Sequence, residues 1–343
     1  MNSTKIVIDS TSRILFSSFY IQGLYDVFGR NNVTFGARYF TGLVRKEHLF
    51  SFNHFFAFVS IEQNKITRFV VDYCDPDDIS QEAYDWCDVY AKINFNKEQE
   101  TQHAKLVVIP PSFGIKMWNL PQTLYYCAAN LLASSFSVPT KKRIFIKDYW
   151  QTYRREKLEK FLSPEKNNTN AYIFLTATLW TADEYADNTN HLRKYFIDTC
   201  RQLNEVEFEG GLYATPEHPK FDEFKSVAIP KQYALKKFIR KNKLSAISFN
   251  TPAVHNCHGW KLAEYMAMGK AIISTKLSYD FPNPLIHGIN IHFIASQNEM
   301  RDAVIHLLRD NIYRKTLEKN AQKYFLENMT PSKVLTAIIN KAK

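Results

Sequence analysis

Residues 255–275 constrain the fold of this chain most, because they combine a turn, an amphipathic helix, a helix stop and a buried strand. They read His-Asn-Cys-His-Gly-Trp-Lys-Leu-Ala-Glu-Tyr-Met-Ala-Met-Gly-Lys-Ala-Ile-Ile-Ser-Thr. Leu262 and Met266 recur at helical spacing, which predicts one apolar helix face. Gly269 is typical of a residue that ends a helix, and residues 271–274 are an apolar run of buried-strand type. This order predicts an α/β fold.

The start of this predicted helix combines features of an anion site with a carboxylate one turn later. The first turn of a helix has free N–H groups and a positive dipole end, which suit a phosphate. Gly259 lets a ligand approach the backbone, and Lys261 adds a positive charge. Glu264, which shares a helix edge with Trp260, is an acceptor for two sugar hydroxyls. The spacing therefore predicts a nucleotide-sugar pocket, and the alternative is an ordinary Rossmann-like helix with a surface glutamate.

The same pattern continues at fixed spacing through Gly259, Lys261, Glu264, Met266, Ala267, Gly269, Lys270 and residues 272–274. It resembles the donor-binding signature of GT-B glycosyltransferases, the glycosyl transferases group 1 superfamily, and the helical C-terminal segment after residue 300 is similar too. The resemblance implies two Rossmann-like domains facing across a cleft, a metal-independent reaction, and binding of the nucleotide ribose by Glu264. Asn256 stands where the common retaining families carry a second acidic residue, so the stereochemistry of the reaction stays open.

Further donor-binding candidates come from the neighbouring predicted strands. Thr176 and Thr178 lie in a loop predicted after a strand at 172–175, and Arg193 lies on the next helix; the resemblance implies that they hold phosphate, whereas the alternative is loop capping and an exposed charge. Gly210 lies in a turn predicted after a strand at 206–208, where it either lets a base or ribose approach or only closes the turn.

Two histidines precede the predicted helix and are candidate contacts to the pyrophosphate or the donor sugar. They are His255 and His258, with Cys257 between them. Zinc is disfavoured because the sequence has no second ligand pair at finger spacing. We expect no metal and no cofactor other than the donor substrate.

The first half of the chain offers four candidate general bases and no preference among them. Asp9 and Asp72 end predicted strands, His54 precedes a strand, and His103 ends a short helix. Residues 75–77 match the Asp-x-Asp metal motif of the GT-A fold. We disfavour a metal there because this proline-bearing loop also serves as a helix cap.

The clearest linker is the polar, turn-rich stretch at 163–170. We therefore predict an acceptor domain at 1–165 and a donor domain at 166–343, with strand-like residues 143–147 and a charged helix at 148–162 before the boundary. A break at Pro331 permits the last helix to pack back onto the first domain. At 343 residues the chain is long enough for two α/β cores.

Composition limits the compartment and the partners. Five scattered cysteines, no apolar run of membrane-spanning length and no signal-peptide core favour the cytoplasm. The net charge of +10 fits a nucleotide donor or an anionic membrane, whereas no motif supports nucleic acid. A predicted basic helix at 233–242 is either the solvated face of a packed helix or a peripheral contact with the inner membrane face.

The sequence thus favours a hexosyl- or deoxyhexosyltransferase that moves a sugar from a nucleoside-diphosphate sugar to a hydroxyl acceptor. The expected acceptor is a lipid-linked or polysaccharide precursor. Two alternatives remain open, which are a sugar-nucleotide epimerase and a GT-B-like protein that binds nucleotide or glycan without turnover.

Overall fold

The computed structural model describes residues 4–43, 55–63, 65–135, 141–164, 171–181 and 184–343. They form two compact units. Unit 1 contains the residues up to Leu158 together with Asp280–Pro282 and Asn328–Lys343. Unit 2 contains Glu159–Tyr279 and Asn283–Glu327. The candidate base His54 and residues 165–170 of the predicted linker lie outside the described residues.

Unit 1 is built on one six-stranded sheet. Its strands are β1 (Lys5–Asp9), β2 (Val33–Gly36), β3 (Phe55–Glu62), β4 (Lys65–Asp72), β5 (Val89–Lys92) and β6 (Leu106–Val108). Its helices are α1 (Ile14–Phe28), α2 (Gln81–Trp86), α3 (Lys97–Glu100), α4 (Leu120–Ser135), α5 (Lys142–Tyr153) and, at the C-terminal end of the chain, α13 (Pro331–Asn340). Helix α6 (Leu158–Leu162) lies at the division between the units.

The strand order in unit 1 is β2-β1-β3-β4-β5-β6, and only β3 runs antiparallel to its neighbours. The connection from Glu62 to Lys65 is too short for a crossover, so β3 and β4 form a hairpin. Strands β1, β4 and β5 are parallel to one another, and their carboxyl ends lie at the same sheet edge. Asp9, Asp72 and Lys92 are the last residues of these strands.

Unit 2 contains two three-stranded parallel sheets with helices around them. The strands are β7 (Tyr172–Thr178), β8 (Glu207–Tyr213), β9 (Ala228–Ile229), β10 (Ile247–Asn250), β11 (Ala271–Thr275) and β12 (His292–Ile294). The helices are α7 (Glu184–Arg201), α8 (Phe221–Phe224), α9 (Leu235–Leu244), α10 (Trp260–Ala267), α11 (Met300–Arg309) and α12 (Asn311–Tyr324).

The two sheets of unit 2 meet at β7 and β10. The N–H of Ala246 donates to the carbonyl of Tyr172 at 2.7 Å, and the Ser245 hydroxyl accepts from the N–H of Phe174 at 2.9 Å. Both strands begin beside this junction, so their carboxyl ends lie at one edge. The order is then β9-β8-β7-β10-β11-β12, which is the doubly wound Rossmann order. The strand order reverses between β7 and β10, and ligands of such sheets bind in the crevice at this point.

Apolar side chains from strands and helices fill each unit separately. Phe58 stacks on Phe69 in unit 1 with ring centroids 4.6 Å apart, and Phe196 stacks on Phe249 in unit 2 at 4.5 Å. Burial of each such ring contributes roughly 2–3 kcal/mol. Helix α13 buries Leu335 and its neighbours against α1 within unit 1. The α/β class and the two Rossmann-like domains predicted from the sequence are confirmed.

The strand predicted at 143–147 is wrong, because these residues begin helix α5. Phe145, Tyr149 and Thr152 are all buried at helical spacing, and this face packs against α1 and α4. The apolar run Ile-Phe-Ile resembles a strand only locally, and contacts distant in sequence select the helix. Among the described helices, none is both long and apolar enough to span a lipid bilayer.

Candidate anion-binding site

Helix α10 begins at the predicted position, with Gly259 as its N-cap. Gly259 has φ −71° and ψ 153°, and without a side chain it cannot cap the first N–H groups of the helix. A Cβ placed on Gly259 would have only the Ala253 Cβ nearby, at 3.8 Å. The protein itself therefore leaves room for a larger residue here, and the glycine keeps the helix start open to a ligand.

The loop before α10 is held in an unusual backbone conformation. His255 and Asn256 both have positive φ, 54° and 57°. The loop is closed by the Ala253 N–H donating to the Cys257 carbonyl at 3.0 Å and by the Cys257 N–H donating to the Val254 carbonyl at 3.1 Å. Residues other than glycine rarely adopt left-handed conformations, and such strain concentrates at ligand sites. We infer that the fold enforces this loop shape.

The two candidate histidines differ in burial. His255 is exposed, and its carbonyl accepts from the Tyr279 hydroxyl at 3.2 Å. His258 is buried, with its ring edge-on to Tyr279 at 6.2 Å between centroids. Both lie just before the start of α10, as predicted from the sequence.

Two cations converge on the carboxyl end of β7. The Lys261 ammonium group donates to the carbonyl of Thr176, and the Arg193 guanidinium donates to the carbonyl of Thr178 at 3.5 Å. Lys261 comes from α10 and Arg193 from α7, so the site combines three elements on both sides of the strand-order reversal.

The surroundings disfavour the charged form of both side chains. Burial and the nearby Arg193 charge together lower the pKa of Lys261 to about 7, and the Glu264 charge opposes this shift. Burial also lowers the pKa of Arg193 to about 10. Two like charges held close together disfavour each other's charged form in the free protein. A bound anion relieves this repulsion, and shifts of this kind cluster at functional sites.

Glu264 is only 5% exposed and lies one turn after Lys261 on α10. Its neighbour Tyr265 is fully buried, and the pKa of that phenol is raised by burial and by the Glu264 charge. The Tyr265 hydroxyl has no hydrogen-bond partner among the described residues. The carboxylate therefore lies inside the protein beside the two cations, which is unlike the surface glutamate of the alternative interpretation.

The loop predicted at 176–180 is partly wrong, because Thr176 and Thr178 are the last residues of strand β7. The turn predicted at 209–211 is also wrong. Gly210 and Gly211 lie inside strand β8, where they pair with Leu175 and Thr176. A Cβ on Gly210 would stand 1.9 Å from the Leu175 carbonyl oxygen, so close strand packing requires this glycine.

Two positioning residues were missed in the sequence. The Thr189 hydroxyl donates to the Pro252 carbonyl at 2.7 Å, and the Asn190 amide bonds both to the N–H and to the carbonyl of Trp180. They tie α7 to the segments that follow β10 and β7. Both are polar side chains that α7 buries, and this burial cannot be read from one sequence.

In unit 1, two of the candidate bases lie at one sheet edge. The Asp9 carboxylate accepts from the N–H and the hydroxyl of Thr11 at 3.0 and 2.8 Å. Asp72 accepts from the Tyr90 hydroxyl at 2.6 Å and from the Lys92 ammonium at 3.0 Å. His103 precedes β6, at the opposite edge of the sheet, with its ring between Tyr84 and Phe95. The structure thus does not bring His103 to the other two.

Lys261→Met is expected to stabilise the ligand-free protein at pH 6 by about 2 °C or more in melting temperature. The lysine pKa falls from about 10.4 in the unfolded chain to about 7 when folded. Between these values the unfolded state binds more protons, so wild-type stability from this group rises with pH. The advantage of the variant should therefore shrink from pH 7 towards pH 10. Scanning fluorimetry at several pH values measures it, with the exposed Lys319→Met as control. A variant less stable than wild type at pH 6 contradicts the burial argument.

The sequence matches no protein-family model and no curated protein. Similar solved structures include the C-terminal domain of LpcC, a glycosyl transferase group 1 family protein from Francisella tularensis. It is 14% identical, and the match covers 49% of this chain and 95% of that one with a TM-score of 0.37.

Two longer structures are also similar. HepE from Anabaena, solved with UDP and glucose, is 12% identical, covering 76% of this chain and 64% of HepE with a TM-score of 0.42. Sucrose-phosphate synthase from Thermosynechococcus elongatus is 11% identical, covering 76% of this chain and 59% of the synthase with a TM-score of 0.43. The chain thus spans less than two thirds of either protein. Glycosyltransferases are prominent among the solved structures that this chain resembles.

Proposed function

We propose that this protein transfers a hexosyl or deoxyhexosyl group from a nucleoside-diphosphate sugar to a hydroxyl acceptor. One observation carries the proposal. Lys261 and Arg193 converge beside the buried Glu264 at the strand-order reversal of unit 2. This arrangement supplies two cations for a diphosphate and, one helical turn away, a carboxylate for ribose hydroxyls.

In the proposed complex the diphosphate lies at the start of α10. The free N–H groups of the first turn, Lys261 and Arg193 bind the phosphate oxygens. When the bond from the sugar to the diphosphate breaks, negative charge grows on the leaving phosphate, and these fixed groups stabilise it. Because two cations already serve this purpose, we propose that the reaction needs no bound metal. Undiminished turnover in EDTA is the expected result.

Unit 1 is proposed to bind the acceptor. Asp9 and Asp72 lie at one carboxyl edge of its sheet, where ligands of α/β sheets bind. Both carboxylates are buried, and we propose that one of the two takes the acceptor proton. We propose a lipid-linked or polysaccharide precursor as acceptor, and a cytoplasmic protein with peripheral membrane contact.

A thermal-shift screen with UDP, GDP, CMP and their sugars tests the donor site. One diphosphate family should raise the melting temperature, since a ligand at about 100 times its Kd adds about 2.7 kcal/mol of stability. The Lys261→Met variant should show a smaller shift at equal ligand concentration. Absence of any shift in the wild-type protein would remove the support for a nucleotide-sugar enzyme.

Product analysis separates the remaining alternatives once a donor is found. A transferase releases nucleoside diphosphate only in proportion to acceptor glycosylated, apart from slow hydrolysis. An epimerase converts the nucleotide sugar without an acceptor. Binding without release or conversion, with every acceptor class supplied, would instead indicate a protein without turnover.

A further inference from the structure

Helix α4 exposes an apolar stripe on its outer side. Its exposed stripe is apolar at helical spacing, with Leu124 60%, Tyr125 69% and Leu132 65% exposed and Ala128 between them. Its inward side carries buried polar residues, namely Thr123, Asn130 and Ser134. An ordinary surface helix buries its apolar face, whereas within the described part of the chain no element covers this outward apolar stripe.

The inward polar groups of α4 are hydrogen-bonded, and one of these bonds, from Asn130 to Tyr149, ties the helix to α5. Asn130 donates to the Tyr149 hydroxyl at 2.8 Å, Thr123 donates to the Asn119 carbonyl at 2.8 Å, and Ser134 donates to the Leu131 carbonyl at 3.0 Å. Rotating α4 to bury its leucines would break the bond to Tyr149 and the stacking of Tyr126 on Trp118 at 4.6 Å. The native packing of α4 therefore keeps the apolar stripe on the outside.

Helix α5 packs beside α4 through the bond between Asn130 and Tyr149, and it extends the exposed apolar surface. Ile146 and Trp150 are each 49% exposed. They alternate along one helix edge with the exposed cations Arg143, Lys147 and Arg154. We name the exposed residues Leu124, Tyr125, Leu132, Ile146 and Trp150 the α4–α5 face.

The exposed charges of α4 and α5 have one sign. Helix α4 contains no charged residue. The only acid in α5, Asp148, is buried and paired with Arg13 at 2.9 Å. Apolar side chains that include a tryptophan, flanked by exposed Arg and Lys, are complementary to an anionic lipid surface. Two copies of the face would instead bring cations against cations, which disfavours a second copy as the occupant.

Helix α9 is the basic helix for which the sequence left a membrane contact open. Unlike α4 and α5, it has no exposed apolar side chains beside its basic residues. Its apolar residues Phe238 and Ile239 are buried, and its exposed side carries only basic and polar residues. Helix α9 is therefore consistent with a packed helix whose basic face is solvated. The vesicle experiment below uses variants of α9 as matched controls.

We propose that the α4–α5 face binds the surface of a membrane rich in anionic phospholipid. The apolar side chains enter the boundary between headgroups and acyl chains, and Arg143, Lys147 and Arg154 contact lipid phosphates. This inference rests on the peripheral membrane contact of the proposed function and names the surface that makes it, but vesicle binding by unit 1 needs no donor. The donor-site variant Lys261→Met should bind vesicles as the wild type does, so the two proposals fail separately.

Sedimentation with lipid vesicles tests the proposal on the full chain. Wild-type protein should bind phosphatidylcholine vesicles that contain about 30% phosphatidylglycerol, bind pure phosphatidylcholine weakly, and lose binding as salt rises. Arg143→Gln/Lys147→Gln should lower the partition coefficient by about 30-fold, because each basic residue near the surface contributes about a factor of five. Leu124→Gln/Leu132→Gln should lower it by about tenfold or more.

Matched variants elsewhere on the chain control for charge and hydrophobicity. Lys237→Gln/Arg240→Gln on α9 removes equal charge, and Ile312→Gln/Leu326→Gln removes exposed apolar side chains of unit 2. Both should retain wild-type vesicle binding, and all variants should retain the wild-type melting temperature within a few degrees. Equal loss in the controls, or no binding of wild type to anionic vesicles, overturns the proposal. The proposal is also overturned if the wild-type protein binds no vesicles and instead forms a dimer that Leu124→Gln/Leu132→Gln dissociates.

Discussion

Glu264→Ala is expected to weaken binding of the nucleoside diphosphate by about 100-fold or more. A hydrogen bond to a charged acceptor contributes about 1.5–3 kcal/mol, and the proposed role of Glu264 involves two ribose hydroxyls. Glu264→Gln should lose about tenfold, because its amide retains one neutral acceptor oxygen. Isothermal titration calorimetry with the diphosphate selected by the thermal-shift screen gives both values, and the melting temperature of each variant reports folding.

A ligand change separates ribose recognition from indirect damage to the pocket. If the screen selects UDP, wild-type protein should prefer UDP to 2′-deoxy-UDP by about tenfold, since the deoxy ligand lacks one hydroxyl. Glu264→Ala should bind the two ligands equally. The assignment of the ribose to Glu264 fails if the variant keeps the wild-type preference. An electrostatic role through Lys261 alone predicts that outcome, since it weakens both ligands in parallel.

Gly210→Ala is expected to destabilise the protein by about 3 to 5 kcal/mol, which would lower the melting temperature by about 10 °C. The residue has φ +119°, and its added Cβ would collide with the backbone oxygen of Leu175 at 1.9 Å. Because Leu175 lies in the neighbouring strand, relief of the clash requires β7 and β8 to separate. Urea unfolding followed by circular dichroism measures the loss.

Gly259→Ala is the matched control for this prediction. Gly259 has negative φ and open space around its missing Cβ, so alanine should cost about 1 kcal/mol, mainly as a poorer helix cap. Its effect should instead fall on ligand binding, since the added methyl group occupies the approach to the first turn of α10. A well-folded Gly210→Ala protein that has lost ligand binding would restore the interpretation of Gly210 as a donor contact.

The local features of the site could be predicted well because neighbouring residues determine them. The helix from Trp260, its end at Gly269 and the strand that follows all depend on apolar periodicity and on one residue that tolerates positive φ. The same helical periodicity predicts that Lys261 and Glu264 lie one turn apart on a single helix. The order of residues in this short stretch is therefore enough to indicate an anion site followed by a carboxylate.

Local patterns failed where packing between distant segments decides. Residues 143–147 have the composition of a strand. They form a helix because Phe145 and Tyr149 then pack on one face against α1 and α4. Gly210 is a residue type typical of turns. It lies in strand β8, where the backbone of Leu175 in the neighbouring strand approaches it closely. In both cases the deciding contact comes from a residue more than ten positions away, which no local window contains.

The amino-acid order alone is sufficient for the α/β class, the α10 motif and the types of charge at the site, because period, caps and residue chemistry are properties of short stretches. The winding of the sheet was needed to bring Arg193 and Lys261 to the same end of β7, since these residues are far apart in sequence. Packing in three dimensions also turned the apolar stripe of α4 outwards, because the bond from Asn130 to Tyr149 and the contact with α5 select which face is buried.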